Sequence, residues 1–423
     1  MPAIRLSASW IVPVVEPPVA DGAVLVGDDG RILAIGPEAE VPAPPGVPVE
    51  RHPDGVLIPG LVNAHTHLEL TGLGGQAPED EFAAWIRTIR RLKQQRTPGE
   101  FREAARTGLR MSWAGGVTTI ADTGDSGAVM EALAELGGSG IVYHEVFGPH
   151  PDQLAESLAG LEARVVELGR LVGPRVRLGV SPHAPYSVSG PLYRAVARLA
   201  ERHELPMAVH LAESLAEQQL IESSTGPFAE AWRSRGIPLP DSLAQFEGLL
   251  PIRTPVRWLD AQGVLGPETL AIHAVRVDAD DINLLARADV AIAHCPLSNA
   301  RHGHGEAPLR ALLSAGLRIG VGTDSEASVG PLDLFAEARE ARRIGRLSAA
   351  EAFSLITLDA ALAVGMADVG GLSPGFWGDA CLVDVSAMAL RRFTHDPIEL
   401  VMAASPGDVA ATWLAGREAW RRA

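Results

Sequence analysis

From Val56 onward, short apolar runs alternate with longer stretches in which alanine, leucine and arginine recur at helical spacing. The apolar runs end at His67 (entered through Val56-Leu57-Ile58), Asp122, Glu145, His183, His210, His273, His294 and Asp324. Helix-compatible sequence follows each run, as in residues 192–202 and 331–342. Eight strand–helix units in succession predict an α/β fold, a parallel (β/α)8 barrel of the triosephosphate-isomerase type. Before Val56 the texture differs. Residues 23–36 read as two strands around an Asp29-Gly30 turn, and residues 42–48 are proline-rich. Strand texture returns in residues 379–385 and 409–416. Residues 1–55 with 374–423 are therefore expected to form a small composite β-sandwich beside a barrel of residues 56–373. Two connections, about 68–116 and 211–268, are long enough to shape a pocket on the face where such barrels carry their active sites.

Composition fits this picture and removes some function classes. A chain of 423 residues, 47% hydrophobic and 21% charged, can bury a large core. Its net charge of −16 argues against nucleic acid as the main partner, because phosphate binding needs a basic surface. No apolar run reaches membrane-spanning length, and the first residues lack a signal peptide's pattern. The two cysteines, Cys295 and Cys381, imply no disulfide framework and fit a reducing compartment. The expectation is a cytoplasmic enzyme with a small-molecule substrate and no membrane partner; a homo-oligomer stays open. One further fact is compositional: Lys93 is the only lysine.

The polar residues at the strand ends carry the chemistry. His65 and His67 are two apart, so on a strand both imidazoles project from one face. Such a pair can be two packed core histidines, but it is also half of a metal site. The other strand ends add His210, His273 and Asp324. Imidazoles with one carboxylate suit zinc or a similar divalent ion and leave a position for water. Glu213, three residues after His210, is placed to turn back over the metal and pass a proton.

Four phrases extend the reading: Pro59-Gly60-Leu61-Val62-Asn63-Ala64-His65-Thr66-His67, the His210…Glu213 pair, His294-Cys295-Pro296-Leu297-Ser298-Asn299, and Gly322-Thr323-Asp324-Ser325. Together they resemble the amidohydrolase superfamily over nearly the whole chain. The resemblance is to the branch of cytosine, guanine, adenosine-type and S-adenosylhomocysteine deaminases, with triazine hydrolases as relatives. It implies metal ligands at His65, His67, His210 and Asp324, a water contact at His273, and proton transfer through Glu213, with Asp324 and His273 orienting the water. Binuclear members usually bridge two metals with a carboxylated lysine late in the fourth strand. Here that strand has no lysine and Lys93 lies elsewhere, so one divalent ion is expected, zinc first, with iron, manganese or nickel as alternatives.

The segment Ser181-Pro182-His183-Ala184-Pro185-Tyr186-Ser187-Val188-Ser189 resembles one in adenosine-type relatives, which implies substrate binding by His183. Three phrases are similar to aminofutalosine deaminases of menaquinone biosynthesis: His65-Thr66-His67-Leu68-Glu69-Leu70, Phe82-Ala83-Ala84-Trp85-Ile86 and Thr254-Pro255-Val256-Arg257-Trp258-Leu259-Asp260. That resemblance implies hydrolysis at C6 of a 6-aminopurine. Trp85 is then a candidate to stack on the base. Arg87, Arg90, Arg91 and Arg301 are candidates for a tail carboxylate, although each also reads as a surface residue. Adenosine, S-adenosylhomocysteine, methylthioadenosine, guanine, cytosine, a triazine or a cyclic amide stay open as substrates. His294 is expected to order its loop, and His144 to be a packed histidine. The second His-x-His, His302 and His304, is expected at the pocket rim or surface.

Overall fold

Eight parallel strands form the centre of the computed structural model, which describes residues 3–239, 254–388 and 394–423. The chain reaches them through four strands of another sheet: β1 (Ile4–Ile11), β2 (Val19–Val26), β3 (Ile32–Pro37) and β4 (Val49–Pro59). The barrel then runs β5 (Leu61–Thr66), β6 (Val117–Gly124), β7 (Ser139–Val146), β8 (Val176–Pro182), β9 (Met207–Leu211), β10 (Thr269–His273), β11 (Ala291–His294) and β12 (Ile319–Val321). Each pairs with its neighbour in sequence order, and a parallel bridge between Thr66 and Asp324 joins the last strand's exit to the first. Three later strands, β13 (Ala380–Asp384), β14 (Val409–Leu414) and β15 (Arg417–Arg421), return to the first sheet. Its order is β15-β14-β13-β4-β1-β2-β3, so the two ends of the chain build one seven-stranded sheet with a core around Leu6, Ile11, Leu57 and Trp413.

The expected hairpin over residues 23–36 is the antiparallel β2–β3 pair. The apolar run entering His65 divides at Gly60: Val56–Pro59 completes β4, and Leu61 starts the barrel. Part of the long connection after β9, residues 240–253, lies outside the described residues.

Alternation along β5 positions the site. Val62 and Ala64 are buried in an apolar cluster with Ala360 and Ala361 of the helix Leu358–Ala363. Asn63 and His65 therefore occupy the other face of the strand. Asn63 ties the barrel seam: its Oδ1 accepts from Thr323 N at 3.0 Å and its Nδ2 donates to Thr323 Oγ1 at 2.8 Å. The seam is tight at Gly322, where a Cβ would lie 2.4 Å from His65 N, so any side chain would force β5 and β12 apart. The first long connection supplies two helices, α1 (Phe82–Gln95) and α2 (Pro98–Ala114). A Thr97–Glu100 capping box starts α2, and Glu81 caps α1 by accepting from Ala83 N and Ala84 N. Among the described residues no helix is long and apolar enough to cross a membrane.

Candidate metal centre and active site

The strand ends bring His65, His67, His210, His273 and Asp324 together beneath the barrel mouth. Each chain exit is bent hard: His273, Ala274 and Asp324 have φ of 76°, 48° and 58°. Left-handed backbone at non-glycine residues costs about 1–3 kcal/mol each and persists only where the surroundings hold it. Here Asp324 N donates to His65 O at 3.0 Å and Ala274 N donates to Leu211 O at 3.1 Å.

Hydrogen bonds on the outer ring nitrogens set the imidazole tautomers. His67 Nδ1 lies 2.8 Å from Thr123 O, His210 Nδ1 lies 3.2 Å from His183 O, and His273 Nδ1 lies 3.0 Å from Asn299 Oδ1. A carbonyl oxygen only accepts, so in each neutral ring Nδ1 carries the proton and Nε2 presents a lone pair inward. Burial keeps these rings neutral. It lowers His67 to about 4, helped by Lys93, and His210 to about 3, helped by His67. His65 and His273 are also held well below the usual histidine range, chiefly by burial.

This arrangement fits a divalent cation. The Nε2 lone pairs of His67 and His210 face each other across 3.4 Å with no proton between them. Tetrahedral coordination at about 2.0–2.1 Å separates two imidazole nitrogens by about 3.3 Å. Both ring nitrogens of buried His65 lack a hydrogen-bond partner, and Asp324 Oδ1 lies 3.6 Å from His67 Nε2 and 3.9 Å from His65 Nε2. Asp324 is itself oriented, by Ser298 Oγ at 2.6 Å on Oδ2 and Ser325 N at 2.6 Å on Oδ1. Metal sites use such outer partners to fix their ligands.

Glu213 sits one turn of chain beyond His210. Its neighbour Ala212 has a φ of 52°, and Glu217 accepts from Ala212 N at 2.8 Å and Glu213 N at 2.9 Å, which pins the bend. The Glu213 Oε1 atom lies 3.5 Å from His273 Nε2 and 3.3 Å from His304 Nε2, while buried Oε2 has no hydrogen-bond partner. Burial, then the charge of Asp324, push this carboxyl well above the usual range. A carboxyl so placed, with its proton held more tightly than usual, can exchange protons with a water beside it.

The family model described as the Amidohydrolase family matches residues 56–419. The chain belongs to the amidohydrolase family. It is 30% identical over 416 residues to 5-methylthioadenosine/S-adenosylhomocysteine deaminase of Nitratidesulfovibrio vulgaris, covering 94% of this chain and 87% of that one. It is 35% identical over 328 residues to aminodeoxyfutalosine deaminase of Deinococcus radiodurans, covering 76% of each. A solved adenosine deaminase from Xanthomonas campestris with bound zinc superposes with a TM-score of 0.85 at 27% identity, over 98% of this chain and 92% of that one. The protein is thus a hydrolase acting on carbon–nitrogen bonds.

Other residues of this amidohydrolase fall differently around the centre. His183, after β8, stands with its ring 4.7 Å from that of His210, and its Nδ1 meets Ser187 Oγ at 2.7 Å. Trp85 is buried, its ring stacked on Phe82 at 5.9 Å and edge-on to His302 at 4.5 Å. Arg87, Arg90, Arg91 and Arg301 are all exposed. His144 is buried, as expected, and so is His294. His304 departs from expectation: it is 5% exposed and reaches Glu213 rather than forming rim or surface. The reason is local. The helix Pro296–Arg301 turns the chain, and His304 N then donates to Asn299 O at 2.9 Å, folding the ring inward.

Three further features escaped sequence reasoning. Glu145, after β7, places a carboxylate oxygen within reach of His67 and His210, 3.9 Å from His183 Nε2, and burial raises it to about 8. Asn299 orients His273; it lies in one of the phrases that carry the family resemblance, which was the available signal. Lys93, on α1, is clamped between Glu69 Oε1 at 2.6 Å and Asp125 Oδ1 at 2.7 Å. Glu69 also accepts from Ser126 N at 3.0 Å, so the cluster locks the turn after His67 to the end of β6, where Thr123 holds the His67 ring.

Proposed function

We propose that the protein is a metal-dependent aminohydrolase of a 6-aminopurine nucleoside, with aminofutalosine as its substrate and a step of menaquinone biosynthesis as its setting. The observation that carries the reaction type is the buried Glu213 carboxyl: one oxygen lies between the imidazoles of His273 and His304, and the other has no hydrogen-bond partner. The substrate reading draws on the Deinococcus radiodurans relative, which has the higher identity of the two. The Nitratidesulfovibrio vulgaris relative matches more of the chain and favours a second reading, deamination of methylthioadenosine or S-adenosylhomocysteine.

His65, His67, His210 and Asp324 would hold one divalent ion, zinc in this proposal. When bound, such an ion lowers the pKa of a coordinated water to roughly 7. Glu213 would take a proton from the attacking water through Oε2 and deliver it to the ring nitrogen next to C6. The water oxygen bonds to C6, and no negative charge accumulates on the ring. His273 Nε2 accepts a hydrogen bond from the water and, with Asp324, aims it. The C6–N bond then breaks, the remaining water proton leaves with the amino group, and ammonia and the 6-oxopurine result. His183 offers Nε2 to the base, its ring fixed by Ser187. Trp85 backs the pocket wall. The two buried, unpaired cysteines fit a reducing, cytoplasmic setting.

The test is an ultraviolet deamination screen of the zinc-loaded protein against aminofutalosine, adenosine, methylthioadenosine, S-adenosylhomocysteine, guanine and cytosine. Fast loss of 6-aminopurine absorbance with aminofutalosine and little with the others is expected. Preference for methylthioadenosine or S-adenosylhomocysteine would select the second reading, and no turnover of any purine would sink both.

A further inference from the structure

The second His-x-His is the one histidine motif that the reaction above does not use. His302 and His304 stack on each other with ring centres 5.5 Å apart. Both press against the aromatic face of α1: Phe82 meets His304 at 4.6 Å, near perpendicular, and His302 at 5.4 Å. Phe82 also contacts Tyr186 and Phe228. One ring of α1 thus ties the loop after β11 to segments that follow β8 and β9.

His304 Nε2 ends 3.3 Å from Glu213 Oε1. The other imidazole at that oxygen, His273, has its proton on Nδ1 and turns a lone pair toward Glu213. Two acceptors do not hold each other, so in its neutral form His273 cannot anchor the carboxylate. His304 can. His304 Nε2 stands beside Oε1 but off the line of a hydrogen bond, and among the described residues no acceptor meets its Nδ1, so a proton on Nε2 and a turn of the ring would bring a donor onto Oε1. Its backbone is fixed on both sides, by the Asn299 carbonyl on its N–H and by Arg276 Nη1 at 3.4 Å on its carbonyl. Asn299 therefore sets both imidazoles that flank Glu213.

We propose that His304 is a positioning residue for Glu213, its ring turning Nε2–H onto Oε1 when the carboxylate is charged so that Oε2 alone carries the transferred proton, and that Phe82 holds His304 beside it. This rests on Glu213 being the proton carrier. A carboxyl with both oxygens free can swing about its terminal bonds. A displacement of about 1 Å at a reacting group costs on the order of 100-fold in rate. A donor at Oε1, added to the Tyr186 hydroxyl that also neighbours this carboxyl, narrows that freedom.

The experiment compares His304→Ala, His304→Gln and Phe82→Leu with the zinc-loaded parent on whichever purine the parent turns over. Glutamine returns an N–H at nearly the reach of Nε2. The expected result is a kcat loss of about 30- to 100-fold in H304A, KM within threefold and metal content unchanged. H304Q should recover at least tenfold of that loss, and F82L should fall between. A kcat within twofold of the parent in H304A, a loss confined to KM, or no recovery in H304Q would overturn the proposal. Glu213→Gln run alongside separates the two ideas: if E213Q keeps its turnover, the proton-carrier reading fails first. A crystal structure of zinc-loaded H304A gives a readout independent of substrate. The Glu213 carboxyl should leave its present position, and an unmoved carboxyl would overturn the proposal even if no purine is turned over.

Discussion

Asn299 Oδ1 accepts from His273 Nδ1 at 3.0 Å and so decides which way the His273 lone pair faces. Without that acceptor the ring can take its other tautomer and offer N–H instead of a lone pair to the water. Asn299→Ala is therefore expected to lower kcat by about 10- to 100-fold, with KM nearly unchanged and the metal retained. Steady-state kinetics with metal analysis checks this. An unaltered kcat would mean that the tautomer is set elsewhere.

Glu213 and His65 should separate chemistry from metal binding. Glu213→Gln removes the proton carrier but no proposed ligand, so turnover should fall by roughly 10²–10⁴-fold at unchanged metal stoichiometry. His65→Ala should abolish both activity and metal retention after dialysis. Restoring zinc to chelator-stripped parent protein should raise its unfolding free energy by about 2.7 kcal/mol at a hundredfold excess over Kd. Metal analysis that finds zinc held equally by parent and H65A would remove His65 from the ligand set.

The metal-free protein should lose stability in mild acid. Burial lowers His67, His144, His294, His302 and His304 to about 4 and His210 to about 3. In the unfolded chain these groups protonate near 6.5. As pH falls from about 6.5 toward 4, the unfolded state binds protons that the folded state refuses, and stability drops. Glu145 and Glu217, raised to about 8, and Asp122, Glu213 and Glu337, raised well above the carboxylate range by burial, act oppositely, because at these groups the folded state binds the extra proton. With His52, His65, His183 and His273 also lowered by burial, the ten histidines outnumber these five carboxyls. Thermal unfolding of stripped protein should show a falling Tm from pH 6.5 to 4.5, and a Tm that rises across that interval would contradict these shifts.

Lys93 neutralises two carboxylates, the buried Glu69 and the half-exposed Asp125. Lys93→Met leaves the buried Glu69 uncompensated, and breaking a buried ion pair from one side costs about 3–5 kcal/mol, while the half-exposed Asp125 adds little. Denaturant unfolding should show that loss. Because the cluster holds the end of β6 behind His67, metal affinity should weaken as well. A K93M protein with parent stability would show that water reaches these carboxylates.

The barrel and the metal set were legible because both rest on local rules. Period-two alternation puts His65 and His67 on one face, and the end of each apolar run marks the catalytic rim. Glu145 was legible as a strand end but not as part of the centre, because its inward turn depends on the neighbouring strands. His304 was misread for a related reason. A glycine-flanked histidine in a loop looks solvated in sequence, and only the Asn299–His304 backbone hydrogen bond and the Phe82 ring, more than 200 residues away in the chain, fold it inward. Lys93 was used for what its position excludes, whereas its partners Glu69 and Asp125 are brought to it by tertiary packing alone.

A protein whose single lysine is locked in an ion pair offers amine-directed reagents no free side-chain amine while it is folded. Acylating or fluorescent labels should react with Lys93 only when α1 lifts away from the end of β6. Label on the Lys93-containing peptide is therefore a built-in reporter of that opening, readable by mass spectrometry without introducing any mutation.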